Sequence, residues 1–110
     1  MDPSSSPVRV ALSTAPDAET AARIARALVE ERLAACVNLV PAVRSIYRWQ
    51  GRIEDEAEVL LVIKTRSERV EALAARLRAL HPYELPELVA LPVAAGLAPY
   101  LDWVAAEAAP

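Results

Sequence analysis

The sequence predicts an α+β domain of the ferredoxin-like kind, with elements in the order β-α-β-β-α-β and an extra C-terminal helix. Three observations predict it. Segments of strand and helix periodicity alternate in that order. The 110 residues amount to one domain, long enough to bury a core without disulfides or a structural metal. A composition of 55% hydrophobic and 25% charged residues excludes a disordered chain. The domain is expected over residues 8–108, after a disordered Ser/Pro-rich tail, Met1–Pro7.

Each element has a local cause. Val8, Val10 and Leu12 alternate along the first strand, Val8–Thr14, which Pro16 ends. Asp17 is a suitable N-cap for a helix in which Ala18, Ala21, Ala25, Leu28 and Val29 keep helical spacing, ending near Leu33. From Cys36 the chain turns to strand-preferring residues: Val37, Leu39, Val43, Ile46, Tyr47 and Trp49. Pro41 cannot donate to a ladder, so a bulge or kink is expected there. Gln50-Gly51 supplies a hairpin tip, and the return strand runs from Arg52 through Val59–Ile63 to Thr65. Thr65 and Glu68 have capping-box spacing for a second helix with a stripe of Val70, Leu73, Ala74, Leu77 and Leu80, stopped by His81-Pro82. Glu87–Val93 reads as the fourth strand. Pro99–Ala108 reads as a last helix with Tyr100, Trp103 and Val104 inward.

Two helices cover one sheet face, so a monomer would keep the other face polar. Here Val59, Leu61 and Ile63 alternate with Leu60 and Val62, which are equally apolar, and Val89, Leu91 and Val93 alternate with Leu88 and Ala90. Strands apolar on both faces need cover on both. The last helix covers part of the second face, and another subunit is the economical cover for the rest.

The net charge is −3 with the signs mixed, which argues against a nucleic-acid partner. No apolar run reaches membrane-span length, and the N-terminus lacks the pattern of a signal peptide. A single cysteine fits a reducing cytoplasm. Two glycines and one histidine exclude a Gly-rich phosphate loop and a single-chain Cys/His zinc site.

Six stretches, in order, resemble the CutA family of divalent-cation-tolerance proteins. They are Thr14-Ala15-Pro16-Asp17, Leu33 to Asn38, Ser45 to Gly51, Glu58 to Thr65, His81 to Glu87, and Tyr100-Leu101-Asp102-Trp103. The resemblance spans Val8 to Trp103. It implies a ferredoxin-like subunit in a homotrimer similar to the P-II signalling proteins, with a link to tolerance of copper and other divalent metals. It also implies His81, before Pro82-Tyr83, as a proposed copper position. Some members carry a cysteine where this chain has Ser13 and a second histidine where it has Leu80. Without those two ligands, Cu²⁺ or another divalent metal is expected to bind weakly.

The candidate metal ligands are therefore His81, Cys36 and Glu84. Two readings are open for His81: a ligand, or a donor to the last carbonyls of the second helix. Cys36 is a soft ligand or a small core residue. Tyr83, Glu84 and Glu87 share a Pro-flanked loop with His81, where carboxylates could hold a hard cation or simply face water. Glu58 and Lys64 lie on one strand face, about 20 Å apart, and read as solvated or interface charges. Trp49 reads as an interface anchor rather than a base-stacking platform, since only Arg48 and Arg52 accompany it. With Tyr47, Val59, Leu61 and Ile63 it makes the expected trimer interface. An enzyme built on Cys36, His81 and Glu84 has no nucleophile–base spacing behind it, so no catalytic role is expected. A small-molecule sensor with clefts between subunits is the alternative to metal tolerance.

Overall fold

The alternating apolar residues of Val8–Ala15 form strand β1, which sits inside the sheet. The computed structural model describes residues 6–110, so most of the expected tail, residues 1–5, lies outside them. The remaining elements are α1 (Ala18–Glu30), β2 (Cys36–Trp49), β3 (Arg52–Arg66), α2 (Val70–Leu80), β4 (Val89–Pro92) and α3 (Ala98–Glu107). The sheet order is β2-β3-β1-β4, with every neighbouring pair antiparallel. This is the ferredoxin-like α+β arrangement that the element order predicts.

Local chemistry sets most boundaries. The Asp17 carboxylate accepts a 2.7 Å bond from the Thr20 N–H and caps α1. That helix stops three residues before Leu33, because Arg32 adopts a φ of 58° and the N–H groups of Leu33 and Ala34 both return to the Leu28 carbonyl. Gln50 and Gly51, with φ of 50° and 78°, turn the β2–β3 hairpin in the left-handed conformation that matches strand twist. The bulge falls at Pro41-Ala42, between the pairs Val40–Leu60 and Val43–Glu58. Thr65, expected in a capping box, belongs to β3 instead. Its hydroxyl donates to the Leu33 carbonyl at 2.7 Å, and a single 3-10 turn, Ser67–Arg69, leads into α2. β4 is shorter than expected, ending at Pro92, which has no N–H to give the ladder.

The register assigns two faces to the sheet. Ala11, Ala15, Val59, Leu61 and Ile63 face the helices and pack with Ile24, Leu28, Leu73 and Leu77 in one core. Full burial of each large aliphatic side chain contributes on the order of 1.5–3 kcal/mol. Val59, Leu61 and Ile63 therefore cannot form the expected subunit interface; Leu61 and Ile63 are completely buried inside their own subunit. The helix connections, not the strand pattern, select which of two apolar sets turns inward.

The opposite face carries Val10, Leu12, Leu60 and Val62, flanked by Val40 on β2 and by Val89 and Leu91 on β4. Helix α3 covers only one end of it, through Val104 and Ala108 packed on Val8 and Ala35. Tyr100 and Trp103, expected inward, are exposed on α3, with ring centroids 5.7 Å apart. Beyond Val59, strand β3 pairs only with β2, so the hairpin overhangs the sheet. The overhang of seven residues, Arg52 to Glu58, is about 23 Å long. No helix among the described residues is long and apolar enough to cross a membrane.

Candidate functional site

The overhanging hairpin and the loop after α2 enclose an open groove of about 970 Å³. Ile46, Tyr47 and Trp49 line it from β2, Glu58 from β3 and Thr14 from the end of β1. Residues 82–89 form the other wall. The bulge at Pro41-Ala42 matters here. The extra residue brings Val43, and so Ser45, Tyr47 and Trp49, onto the same sheet face as Glu58 and Glu56.

His81 ends α2 and is 8% exposed. Its Nδ1 accepts from the Tyr83 N–H at 3.1 Å, and its Nε2 lies 2.7 Å from the Thr14 carbonyl. An acceptor at Nδ1 and a carbonyl opposite Nε2 define one neutral tautomer, with the proton on Nε2 donated to Thr14. Both ring nitrogens are thus engaged, and neither bonds the helix carbonyls. His81 instead fixes the start of the loop against β1. The loop's far end is held by Ser13, whose buried hydroxyl donates to the Glu87 carbonyl at 2.7 Å.

Between these anchors the Tyr83 hydroxyl donates to Glu58 Oε2 at 2.7 Å. Glu58 is 7% exposed and has no ion-pair partner among the described residues. Its charge is felt by its neighbours. Burial, then the hydrogen bond and charge of Glu58, push the Tyr83 phenol well above its ordinary range. Burial and then the Glu58 charge push the Glu87 carboxyl up. Tyr47 is raised by desolvation and then by Glu56, Glu54 and Glu58.

The structure separates the expected metal ligands. Glu84 lines the groove, exposed, on the loop that His81 starts. Cys36 pairs in register with Lys64, at the opposite end of the sheet from the Thr14–Leu60 pair. Four residues of strand, about 13 Å, separate those two rows. Cys36 is half-buried, not a core residue, with its Sγ 3.7 Å from Asn38 Oδ1. No group of three His, Cys, Asp or Glu side chains converges to hold a metal among the described residues. Leu80, at the second histidine position, packs against the main core. Trp49 and Tyr47 stay partly exposed and remain available to a partner. The residue that sequence reasoning undervalued is Glu58. Its signal was a carboxylate abutting the apolar run Val59–Ile63, which alternation places on the uncovered face.

Comparison with known proteins agrees with this architecture. The CutA1 divalent ion tolerance protein family matches residues 9–107. The divalent-cation tolerance protein CutA of Thermus thermophilus is 56% identical over 95 residues, covering 86% of this chain and 92% of that one. The chain spans about half the length of the mouse and human relatives that it matches, 55% and 54%. The crystal structure of CutA from Xylella fastidiosa superposes with a TM-score of 0.90 at 51% identity, covering 93% of this chain and 98% of that one. The PII-like protein CutA from Nostoc, in apo form, gives 0.84 at 48% identity, over 91% and 96% of the two chains. With its split βαβ order, its uncovered sheet face and a match over nearly all of its length, this chain belongs to the CutA1 divalent ion tolerance protein family.

Proposed function

We propose that the protein is a non-enzymatic, cytoplasmic homotrimer acting in tolerance of divalent metal ions, copper among them, with at most weak metal binding of its own. The observation that carries the assembly is the uncovered face: Val89 and Leu91 are each 50% exposed beside Val10, Leu12, Leu60 and Val62. An apolar sheet face of this extent is covered in a stable protein. The hairpin favours a ring. Tyr47 and Trp49 point to one side of it and Ile46 and Ile53 to the other, all exposed. An arm apolar on both sides suits head-to-tail contacts that close on themselves. Family membership supports the divalent-ion tolerance role, and similarity to a PII-like CutA structure supports oligomerisation.

Weak metal binding follows from His81. A cation at either ring nitrogen displaces the bond to Thr14 or to Tyr83. The absence of a catalytic role is supported by the placement of Cys36 and His81 toward opposite ends of the sheet, Cys36 in register with Lys64 and His81 against Thr14, so the imidazole is not beside the thiol. Size-exclusion chromatography with light scattering tests the assembly. The expected species has three times the 11.9 kDa chain mass, and a stable monomer or dimer overturns it.

A second reading has its own observation. The groove beside Tyr83 and Glu58 is roomy and partly apolar, as a small-molecule sensor requires.

A further inference from the structure

We propose that Lys64 of each copy pairs with Glu58 of the next where a second copy of this chain covers the open sheet face. The inference rests on the assembly proposed above and assigns its charge register.

The open face is charged at its two ends and apolar between them. Along β3 it runs Glu56, Glu58, Leu60, Val62, Lys64. Strands β1, β2 and β4 add no charged side chain to it. Arg66, beyond Lys64, is matched by Glu68, and Arg52 at the hairpin tip by Glu54. Lys64 and Glu58 are left without an ion pair among the described residues, and they stand about 20 Å apart in one subunit.

Lys64 carries the proposal. It is half-buried between its register partners Cys36 and Val10, and its Nζ donates to Asn38 Oδ1. Val10, Val62 and Leu91 lie around it on the face that a second copy covers, so covering them takes the ammonium out of water as well. A charge withdrawn from water is costly unless it meets a counter-charge. On this face the chain offers one only at the acidic end of β3.

Glu58 is the carboxylate that fits. It adjoins the apolar patch and is 7% exposed, whereas Glu56 stands exposed on the overhang. The Tyr83 hydroxyl orients its Oε2 at 2.7 Å without neutralising it, and a carboxylate accepts up to about four hydrogen bonds. Contact between like ends would set Lys64 on Lys64 and Glu58 on Glu58. Head-to-tail contact sets unlike charges together and lays apolar surface on apolar surface.

Subunit exchange between isotopically labelled and unlabelled full chains, followed by native mass spectrometry, tests this. Lys64→Glu and Glu58→Lys each oppose like charges and are expected to speed exchange at least about tenfold, or to yield monomers. The double variant swaps the two charges and is expected to return to within about threefold of the wild type. Exchange in the double variant that stays as fast as in the single variants overturns the pairing, and so do single variants that exchange like the wild type. An assembled wild type in either case leaves the assembly standing. Should circular dichroism show that Glu58→Lys does not fold, Lys64→Met, Glu58→Gln and their double variant replace the swap. Pairing then keeps the double variant within about threefold of either single variant, and factors that multiply overturn it. A wild type that is monomeric in light scattering overturns both the pairing and the assembly.

Discussion

The phenol oxygen of Tyr83 lies 2.7 Å from Oε2 of Glu58, joining the loop after α2 to a strand residue 25 positions earlier in the chain. Among the described residues it is the one hydrogen bond that the Glu58 carboxylate receives. Tyr83→Phe removes the donor and leaves the charge, so the expected loss of stability is about 1–3 kcal/mol. Glu58→Gln keeps a polar acceptor for Tyr83 and is expected to cost less. Urea denaturation of both variants checks the order; a Tyr83→Phe protein as stable as wild type would mean that water replaces the phenol freely.

Adjacent residues of β3 have opposite duties. Leu61 is completely buried under the helices, whereas Val62 lies on the uncovered face. Leu61→Ala is expected to destabilise the subunit fold by about 2–5 kcal/mol, the usual cost of a core cavity. Val62→Asp places a charge in the proposed contact between subunits and is expected to yield monomers with near-native secondary structure. Light scattering and far-ultraviolet circular dichroism separate the two outcomes. A trimeric Val62→Asp protein would remove the sheet face from the interface.

His81 is expected to matter more for stability than for metal. His81→Ala breaks two bonds, to Thr14 and to Tyr83, at a cost of about 2–3 kcal/mol. Cu²⁺ is expected to bind with a Kd in the micromolar range or poorer, about −8 kcal/mol or weaker. Cys36→Ser is expected to leave that binding unchanged, because the thiol sits at the other end of the sheet. Titration calorimetry of the wild type and the two variants is the measurement. Nanomolar Cu²⁺ affinity surviving His81→Ala would place the site elsewhere.

Two carboxylates are expected to move stability in opposite directions with pH. Hydrogen bonds from Thr20 hold Asp17 below its ordinary value, so its contribution is present at neutral pH and lost as pH falls through that lowered value. Burial and then Glu58 hold Glu87 above its ordinary value. Its ionised form therefore carries a cost at neutral pH, and that cost disappears as pH falls through the raised value. Glu87→Gln is expected to raise the melting midpoint by ~1–2 °C at neutral pH and to change nothing in strong acid. Asp17→Ala lowers the midpoint at neutral pH, and by less well below the carboxylate range, where the protonated cap is a weaker acceptor. Melting curves from acid to neutral pH, run on both variants, show whether the two effects have these signs.

Element order, the Gln50-Gly51 turn, the Asp17 cap and the bulge at Pro41 were legible in the sequence, because each depends on residues within a few positions of one another. The need for cover on a second sheet face was also legible, since it follows from alternation alone. The sequence determined that β3 has two apolar faces; only the tertiary structure decided which one turns inward. Val59-Leu61-Ile63 and Leu60-Val62 are equally apolar, so side-chain period cannot rank them, and the packing of α1 and α2 selects the first set. The same holds at the groove. Residue type marks His81 as able to bind a metal, but its ring partners include a carbonyl 67 positions away, which no local pattern can supply. Glu58 reads in sequence as an ordinary charge on a strand. The overhang of the hairpin and the loop pinned by Ser13 and His81 bury it, because long-range contacts, not the residue's own chemistry, decide what reaches water.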